Sequence, residues 1–448
     1  MKNLTISSIL FACTGSRLVG RAAYEGEIST VTTDSRSVKP GSLFAAIVGE
    51  RTDGHLYIRQ AFESGAVCVL AERAPEDCAG PVIVVPSTVA ALGAIAAFYR
   101  SGFDIPVIGV TGSVGKTTTK EMIASVLSQR FSVHRTAGNF NNDIGVPLTL
   151  FGLTEQHEAA VVEMGVSHFG DMARLAAMVK PTAAVFTMIA DVHLEYLRDR
   201  DGVFDEKSSV LRDMAPDAPI FANGDDEHLR RLRPERPPRF YGLGINNDVR
   251  AEGLIYGPDF TRCTIAHDGE SFAVVIPSYG RHLVNAALGA AAVGLSLGLT
   301  PEEIRRGIAD YSPVGGRARV IDTGSIRIID DSYNSSPTSV SSALRSLAQL
   351  KGRRVAILGD MLELGGKSEQ LHRSIGALAR ELGIELVITS GERAADIASG
   401  AGSEALHFTG VSQAAAALPE LIHPGDCVLV KASNSCGFGS IVHALEAL

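Results

Sequence analysis

The sequence lacks the features of a disulfide-built, membrane-spanning or nucleic-acid-binding chain. Its six cysteines (Cys13, Cys68, Cys78, Cys263, Cys427 and Cys436) stand far apart, with no CxxC pair. That pattern reads as reduced, mostly buried thiols of a cytoplasmic protein, and no Cys/His spacing of a zinc site competes with it. At the N-terminus Lys2 precedes only a short apolar piece, residues 9–13, and Thr5, Ser7 and Ser8 interrupt the apolar character before it. No secretory signal is expected there. The longest uncharged run, residues 283–300, is rich in Ala and Gly and carries Asn285, closer to a buried helix than to a membrane span. Low-complexity tracts and short-period repeats are absent. Positive charge is also in short supply: 41 Lys and Arg against 50 Asp and Glu leave a net charge of −9. Such a balance argues against nucleic acid and for small molecules that bring their own cations.

What is present is a globular composition, 45% hydrophobic and 20% charged over 448 residues, long enough for two to four domains. Ile6, Ile9 and Leu10 mark one face of a first helix, and residues 42–48, 66–70 and 81–85 read as buried strands. Polar segments 33–36 and 49–55 lie between them, as surface loops or as a cluster of Asp, Arg and His for an anionic ligand. Ser87 is placed to cap a helix running to about Tyr99. Residues 159–163 and 183–187 are apolar runs of the kind a two-sided parallel sheet produces, 223–226 a tight turn, and 249–277 more β-like. Pro313 with Gly315 and Gly316 marks a boundary. Beyond it residues 326–330, 354–358, 386–389 and 427–430 are strands separated by helices. The expectation is three α/β domains in series, residues 1–84, 85–313 and 314–448.

One stretch organises the chain. An apolar run, residues 107–110, breaks into Thr111-Gly112-Ser113-Val114-Gly115-Lys116-Thr117-Thr118 and then into a helical pattern. A strand, a glycine turn and a helix N-terminus together suit a polyphosphate: turn amides approach the phosphates, the helix dipole favours their charge, and Lys116 adds its own. Thr117 sits where a Mg²⁺ ligand belongs. Only two residues separate Gly112 from Gly115, so the spacing is shorter than a standard Walker A.

Further polar residues follow apolar strands, at the sheet edge where open α/β folds bind ligands. Glu163 ends one strand, and His193 and Glu195 follow the next. Residues 139–147 form a polar loop more elaborate than a plain turn. Lys207, in a helix-like segment, reads by itself as a solvated lysine. In the last third, residues 330–337, 359–365 and 431–434 each follow a strand directly.

Together these residues resemble the Mur ligase family of ATP-dependent amide ligases over essentially the whole chain. The carriers are the shortened loop of residues 111–117, residues 139–147, Glu163-Met164-Gly165, His193-Leu194-Glu195, Gly280-Arg281-His282 with Asn285, and Gly316-Arg317. The runs 330–334 and 359–365 are similar to the members that add a dipeptide. The resemblance implies a small N-terminal UDP-binding α/β domain, a central P-loop-type ATPase domain with a mostly parallel sheet, and a Rossmann-like C-terminal domain. It implies that a carboxylate is activated by ATP as an acyl phosphate and attacked by an amine. The small-molecule partners would be UDP-N-acetylmuramoyl-tripeptide, its third residue lysine or diaminopimelate, and D-alanyl-D-alanine. No nucleic acid, no stable membrane insertion and a monomer are expected.

By the same resemblance, residues 111–118 with Asn285, Arg317, Asp331 and Asn334 bind ATP, and Lys116, Glu163, His193 and Lys207 are catalytic. Thr117, Glu163, His193 and a carbamylated Lys207 would hold two Mg²⁺. Substrate contacts would come from Asp34, Ser35, Arg36, Asp53, His55, Asn139, Asn142, Tyr333, Asp360, Glu363, Lys431, Ser433 and Asn434. The chain departs from the family pattern at Asp205-Glu206, Ser335-Ser336 and Asn434, which touches the amino-substrate contacts and not the ATP chemistry. Two other readings are separable by assay: another amide ligase of the superfamily, resembling folylpolyglutamate synthetase or a peptide-tailoring ligase, which would need no UDP-linked acceptor, and a nucleotide-switch ATPase, which would turn over without a peptide.

Overall fold

A computed structural model describes the chain apart from residues 21–23, 50, 51, 78, 258 and 279 and the side chain of Arg281. Cys78, and Glu50 and Arg51 of the second polar segment, lie outside the described residues, as does the Arg281 side chain of the 280–282 motif. Three sheets follow one another. The first has five strands in the order Arg17–Val19, Val82–Val84, Ala66–Ala71, Ser42–Ala45, Thr30–Thr32, antiparallel only at the first pair. The apolar run 42–48 is strand only as far as Ala45. Beyond it the Ile47 N–H turns back to the Ala45 carbonyl, and Gly54 packs so close that a Cβ there would meet Ile47 N at 2.8 Å.

The central sheet has nine strands. From Val133–Arg135 at one edge it runs through Ala159–Glu163, Val107–Thr111, Ala183–Phe186, Ile220–Asn223 and Arg239–Gly242 to Val249–Tyr256, all parallel. Thr261–His267 and Glu270–Ile276 then add antiparallel strands. Every residue of Val107–Thr111 and Ala159–Glu163 is buried, as a sheet covered on both faces requires. Alternate residues feed opposite cores: Ala160, Val162, Ala184 and Phe186 point to one, Ala159, Val161, Ala183 and Val185 to the other. Full burial of a side chain such as Phe186 contributes roughly 1.5–3 kcal/mol. Helix Thr88–Arg100 joins the first core to strands of the N-terminal sheet, while Lys116–Leu127 and Arg281–Ser296 cover the other face.

The last sheet has six strands, in the order Arg319–Asp322, Arg327–Asp330, Cys427–Lys431, Arg354–Gly359, Leu386–Ser390, Leu406–Phe408, parallel after the first pair. In the central sheet the chain reverses its order of strand addition beside Val107–Thr111, because the next two strands lie on one side and the following ones on the other. Such a switch point leaves a crevice at the carboxyl ends of the strands. Among the described residues five free cysteines are present, four of them buried, and no helix is long and apolar enough to cross a membrane.

Candidate active site

The crevice opens into a cavity of about 1200 Å³ lined by the carboxyl ends of both the central and the last sheet. Its floor is the glycine turn. Gly112 (φ +144°) and Gly115 (φ +86°) adopt backbone that L side chains rarely take, and a Cβ on Gly112 would lie 2.0 Å from Thr187 Oγ1. The turn is braced from the neighbouring strand end: Thr187 Oγ1 donates to the Val114 carbonyl (2.7 Å), and the Ser113 N–H donates to the Met188 carbonyl (2.6 Å). Lys116 Nζ donates to the Gly112 carbonyl at 2.8 Å. Burial, more than any neighbour, holds its ammonium below the usual lysine range; Arg317 adds to this and Glu163 opposes it.

Glu163 reaches the same floor from the adjacent strand. Its Oε2 accepts from the Thr117 hydroxyl (2.7 Å) and its Oε1 from Asn141 Nδ2 (2.7 Å). Nothing in the sequence distinguishes Asn141 from Asn139 and Asn142, which share its type in one polar loop. Only the loop geometry separates them. Asn139 and Asn142 line the cavity from exposed positions, and Asn142 Oδ1 accepts from the Gly145 N–H (2.8 Å) to start helix Gly145–Phe151. Lys120, one turn past the loop, is fully buried; its Nζ donates to the Thr136 carbonyl at 2.6 Å and pairs with Glu121 at 2.7 Å.

Lys207 is not solvated. It lies on helix Arg200–Ser208 at 0% exposure, and its Nζ has no hydrogen-bond partner. Burial first, and the Lys116 charge second, push this amine well below its ordinary range. Its neighbour Glu206 is fully engaged, accepting from the Gly170 and Met172 N–H groups at 2.9 and 2.7 Å. His193, at φ +53°, lines the cavity and hydrogen-bonds through Nδ1 to Glu363, in the loop after strand Arg354–Gly359 of the last sheet. The His193 imidazole in turn holds the Glu363 carboxyl below the usual carboxylate range.

From the last sheet, buried Lys431 donates to Asp331 Oδ2 (2.6 Å) and to the Asn334 carbonyl (2.8 Å), while Arg317 stacks on the Tyr333 ring at 3.6 Å. Asn434 and Ser433 line the cavity, and Ser433 Oγ accepts from the Leu362 N–H (3.0 Å). Asn285 lines it too, with a buried Oδ1 that lacks a partner. Asp360 does not; its carboxylate accepts from the Ala394 N–H at 2.7 Å, starting helix Ala394–Ala401. Thr111 and Gly112 lie beneath the lining rather than in it.

The N-terminal residues stand apart from this cavity. Asp34 caps the turn Ser35–Ser37 and clasps Arg36 at 2.8 Å, which holds its carboxyl down at about 2. Asp53 hydrogen-bonds the His55 N–H and ring, and pairs with Arg73. The other His55 nitrogen accepts from the Glu72 N–H at 3.0 Å. These polar groups are spent on one another in shaping two tight turns.

The chain matches the Mur ligase family, catalytic domain over residues 27–100, the Mur ligase middle domain over 110–294, and the Mur ligase, glutamate ligase domain over 316–434. The chain belongs to the Mur ligase family. Within it, the UDP-N-acetylmuramoyl-tripeptide–D-alanyl-D-alanine ligase of Bacillus subtilis is 37% identical over 93% of both chains. The crystal structure of MurF from Acinetobacter baumannii superposes with a TM-score of 0.93 at 30% identity over 99% of each chain. MurF from Thermotoga maritima in complex with ADP gives 0.85 at 27% identity, over 94% of this chain and 97% of that one.

Proposed function

We propose that this chain is a cytoplasmic, monomeric ATP-dependent acid–D-amino-acid ligase of peptidoglycan precursor synthesis. It joins D-alanyl-D-alanine to UDP-N-acetylmuramoyl-tripeptide, giving the pentapeptide, ADP and phosphate. The observation that carries this reading is the meeting of the phosphate-type loop and Glu163 with Lys431, Asp331 and Arg317 across one cavity. The 37% identity to a ligase of that name over 93% of the chain supports the substrate pair, and the ADP-bound relative supports the nucleotide. Residues 1–84 take the uridine nucleotide, 85–313 take ATP, and 314–448 close over ATP and supply the amine site.

A carboxylate resists attack by an amine at neutral pH until it is made into a better acyl donor. The loop amides of residues 111–118 and Lys116 hold the phosphates of ATP, Asn285, Arg317, Asp331 and Asn334 enclose the nucleotide, and the acceptor carboxylate takes the terminal phosphoryl group as an acyl phosphate. The dipeptide amine attacks the acyl carbon, the C–O bond to phosphate breaks, and the amine loses its proton. This chemistry needs chiefly positioning and charge neutralisation. The donor set suits Mg²⁺: Thr117 and Glu163 offer hard oxygens 2.7 Å apart, and such ions are held by one or two carboxylates together with substrate phosphates. Thr117, Glu163, His193 and Lys207 would hold two Mg²⁺, which supply Lewis-acid neutralisation of phosphate and carboxylate charge. The buried, unpartnered Lys207 amine suits carbamylation, since its free lone pair can add to CO₂ with loss of a proton, and the product is an anionic oxygen ligand.

Phosphate release from ATP and Mg²⁺ tests the reading. Release that requires both the UDP-linked tripeptide and D-alanyl-D-alanine, with a product heavier by the dipeptide, is expected. Release with the tripeptide and a different amine would overturn the dipeptide assignment, and release with neither would overturn the ligase.

A further inference from the structure

Two residues in the segments that follow strands of different sheets, His193 before helix Leu194–Leu197 and Glu363 after strand Arg354–Gly359, both adopt left-handed backbone. His193 sits at φ +53° and Glu363 at φ +60°. Left-handed backbone is costly for a residue that is not glycine, and such outliers persist where the surroundings over-determine them. Here they meet each other: the His193 ring hydrogen-bonds through Nδ1 to the Glu363 carboxylate, across 170 residues of sequence.

Glu363 is presented from a rigid platform. The Met361 N–H donates to Nε2 of buried His372 (3.0 Å), and His372 Nδ1 meets the Ser368 carbonyl at 2.8 Å. The Leu362 N–H donates to Ser433 Oγ at 3.0 Å, and Asp360, just before, holds the Ala394 N–H at 2.7 Å. The turn after Glu363 rests on the helix after His193, where a Cβ on Gly365 would lie 3.6 Å from Glu195 Cα. Three successive residues are thus fixed from the C-terminal side, and the fourth reaches across to the central one.

We infer that Glu363 is the positioning residue for His193, fixing the proton on Nδ1 and leaving the Nε2 lone pair for the reaction site. A carboxylate on one ring nitrogen sets the tautomer, the orientation and the basicity of the other. The partner comes from the last sheet, so the histidine acquires its working form only when that sheet is docked on the central one. Closure and assembly of the site are then one event. The inference rests on the ligase reading for its kinetic consequences, but not for the ring's protonation.

The test uses the full chain, without metal or nucleotide for the first measurement. With ¹⁵N-labelled histidine, and His193→Gln to assign the signal, long-range ¹H–¹⁵N correlation should show wild-type His193 as the Nδ1–H tautomer. Glu363→Ala should shift it toward Nε2–H, while Glu363→Gln, whose amide oxygen can still accept, should retain it in part. In the ligase assay Glu363→Ala should lower kcat and raise the Mg²⁺ concentration for half-activity by 10–100-fold. KM for ATP and both peptide substrates should stay within about twofold, and Glu363→Gln should recover part of the loss. An unchanged His193 tautomer in Glu363→Ala overturns the inference. So does a loss confined to KM for a peptide substrate, which would make Glu363 a substrate contact. A tautomer shift in a chain that fails to ligate these substrates would overturn the function proposed above and leave this pairing standing.

Discussion

Replacing Lys207 by methionine is expected to stabilise the fold while removing activity. The side chains are of similar length, so the substitution keeps the packing of a residue at 0% exposure and deletes an amine that has no partner. An unsatisfied buried polar group costs about 1–3 kcal/mol, and the gain at pH 7 in CO₂-free buffer with chelator should be at least that, because the native amine must also give up a proton there. The pH dependence gives a sharper test. Burial disfavours the ammonium, so the folded pKa lies well below the ordinary 10.5. Between those two values the unfolded chain holds one more proton than the native one, and stability must fall as pH falls. A full proton of difference is a slope of about 1.4 kcal/mol per pH unit. Wild type should therefore gain stability relative to Lys207→Met as the pH is raised from 7 to 9.

Urea unfolding followed by far-ultraviolet circular dichroism at the two pH values measures both quantities. A methionine variant less stable than wild type at pH 7, or one whose stability tracks wild type between pH 7 and 9, would refute the argument. Activity supplies the other half. Lys207→Ala is expected to be severely impaired and partly rescued by added short carboxylates, which can take the place of a carbamate oxygen. Wild-type rates in that variant without additive would end the carbamate assignment.

The same substitution at the other fully buried lysine should act with the opposite sign. Lys120 is satisfied by the Thr136 carbonyl and by Glu121, so Lys120→Met removes the donor to that carbonyl and leaves Glu121 with Arg135 alone, at 2.8 Å, and should lower stability in the same urea assay by about 3 kcal/mol, the low end for a broken buried pair. Gly112→Ala would place a methyl 2.0 Å from Thr187 Oγ1 at φ +144°. Strain of about 1–3 kcal/mol in the phosphate-type loop should weaken ADP binding by tenfold or more by titration calorimetry, and unchanged affinity would remove the loop from the nucleotide site.

Much of this molecule is written in short-range patterns. Parallel strands covered on both faces appear as unbroken apolar runs, so residues 107–110, 159–163, 183–187 and 326–330 could be placed without coordinates, and the residue that ends or follows each run must emerge at the carboxyl edge. That rule locates Thr111, Glu163 and Asp331 on their own sheets. It is silent on which edges face each other, because the docking of two sheets is fixed by contacts that share no sequence period. Lys207 shows the limit within one element: Val203, Glu206 and Lys207 all face inward on helix Arg200–Ser208, and a helical wheel with Glu and Lys adjacent reads as solvent-facing. What sends that stripe inward is the pair of N–H groups of Gly170 and Met172 that captures Glu206, donors supplied by another loop. His193 and Glu363 show the limit between elements. Neither is glycine, so nothing in composition marks the left-handed turns they make, and the carboxylate that fixes the ring lies 170 residues away. Residues whose role depends on a partner from another sheet are the ones a sequence conceals, because the information is held in the junction.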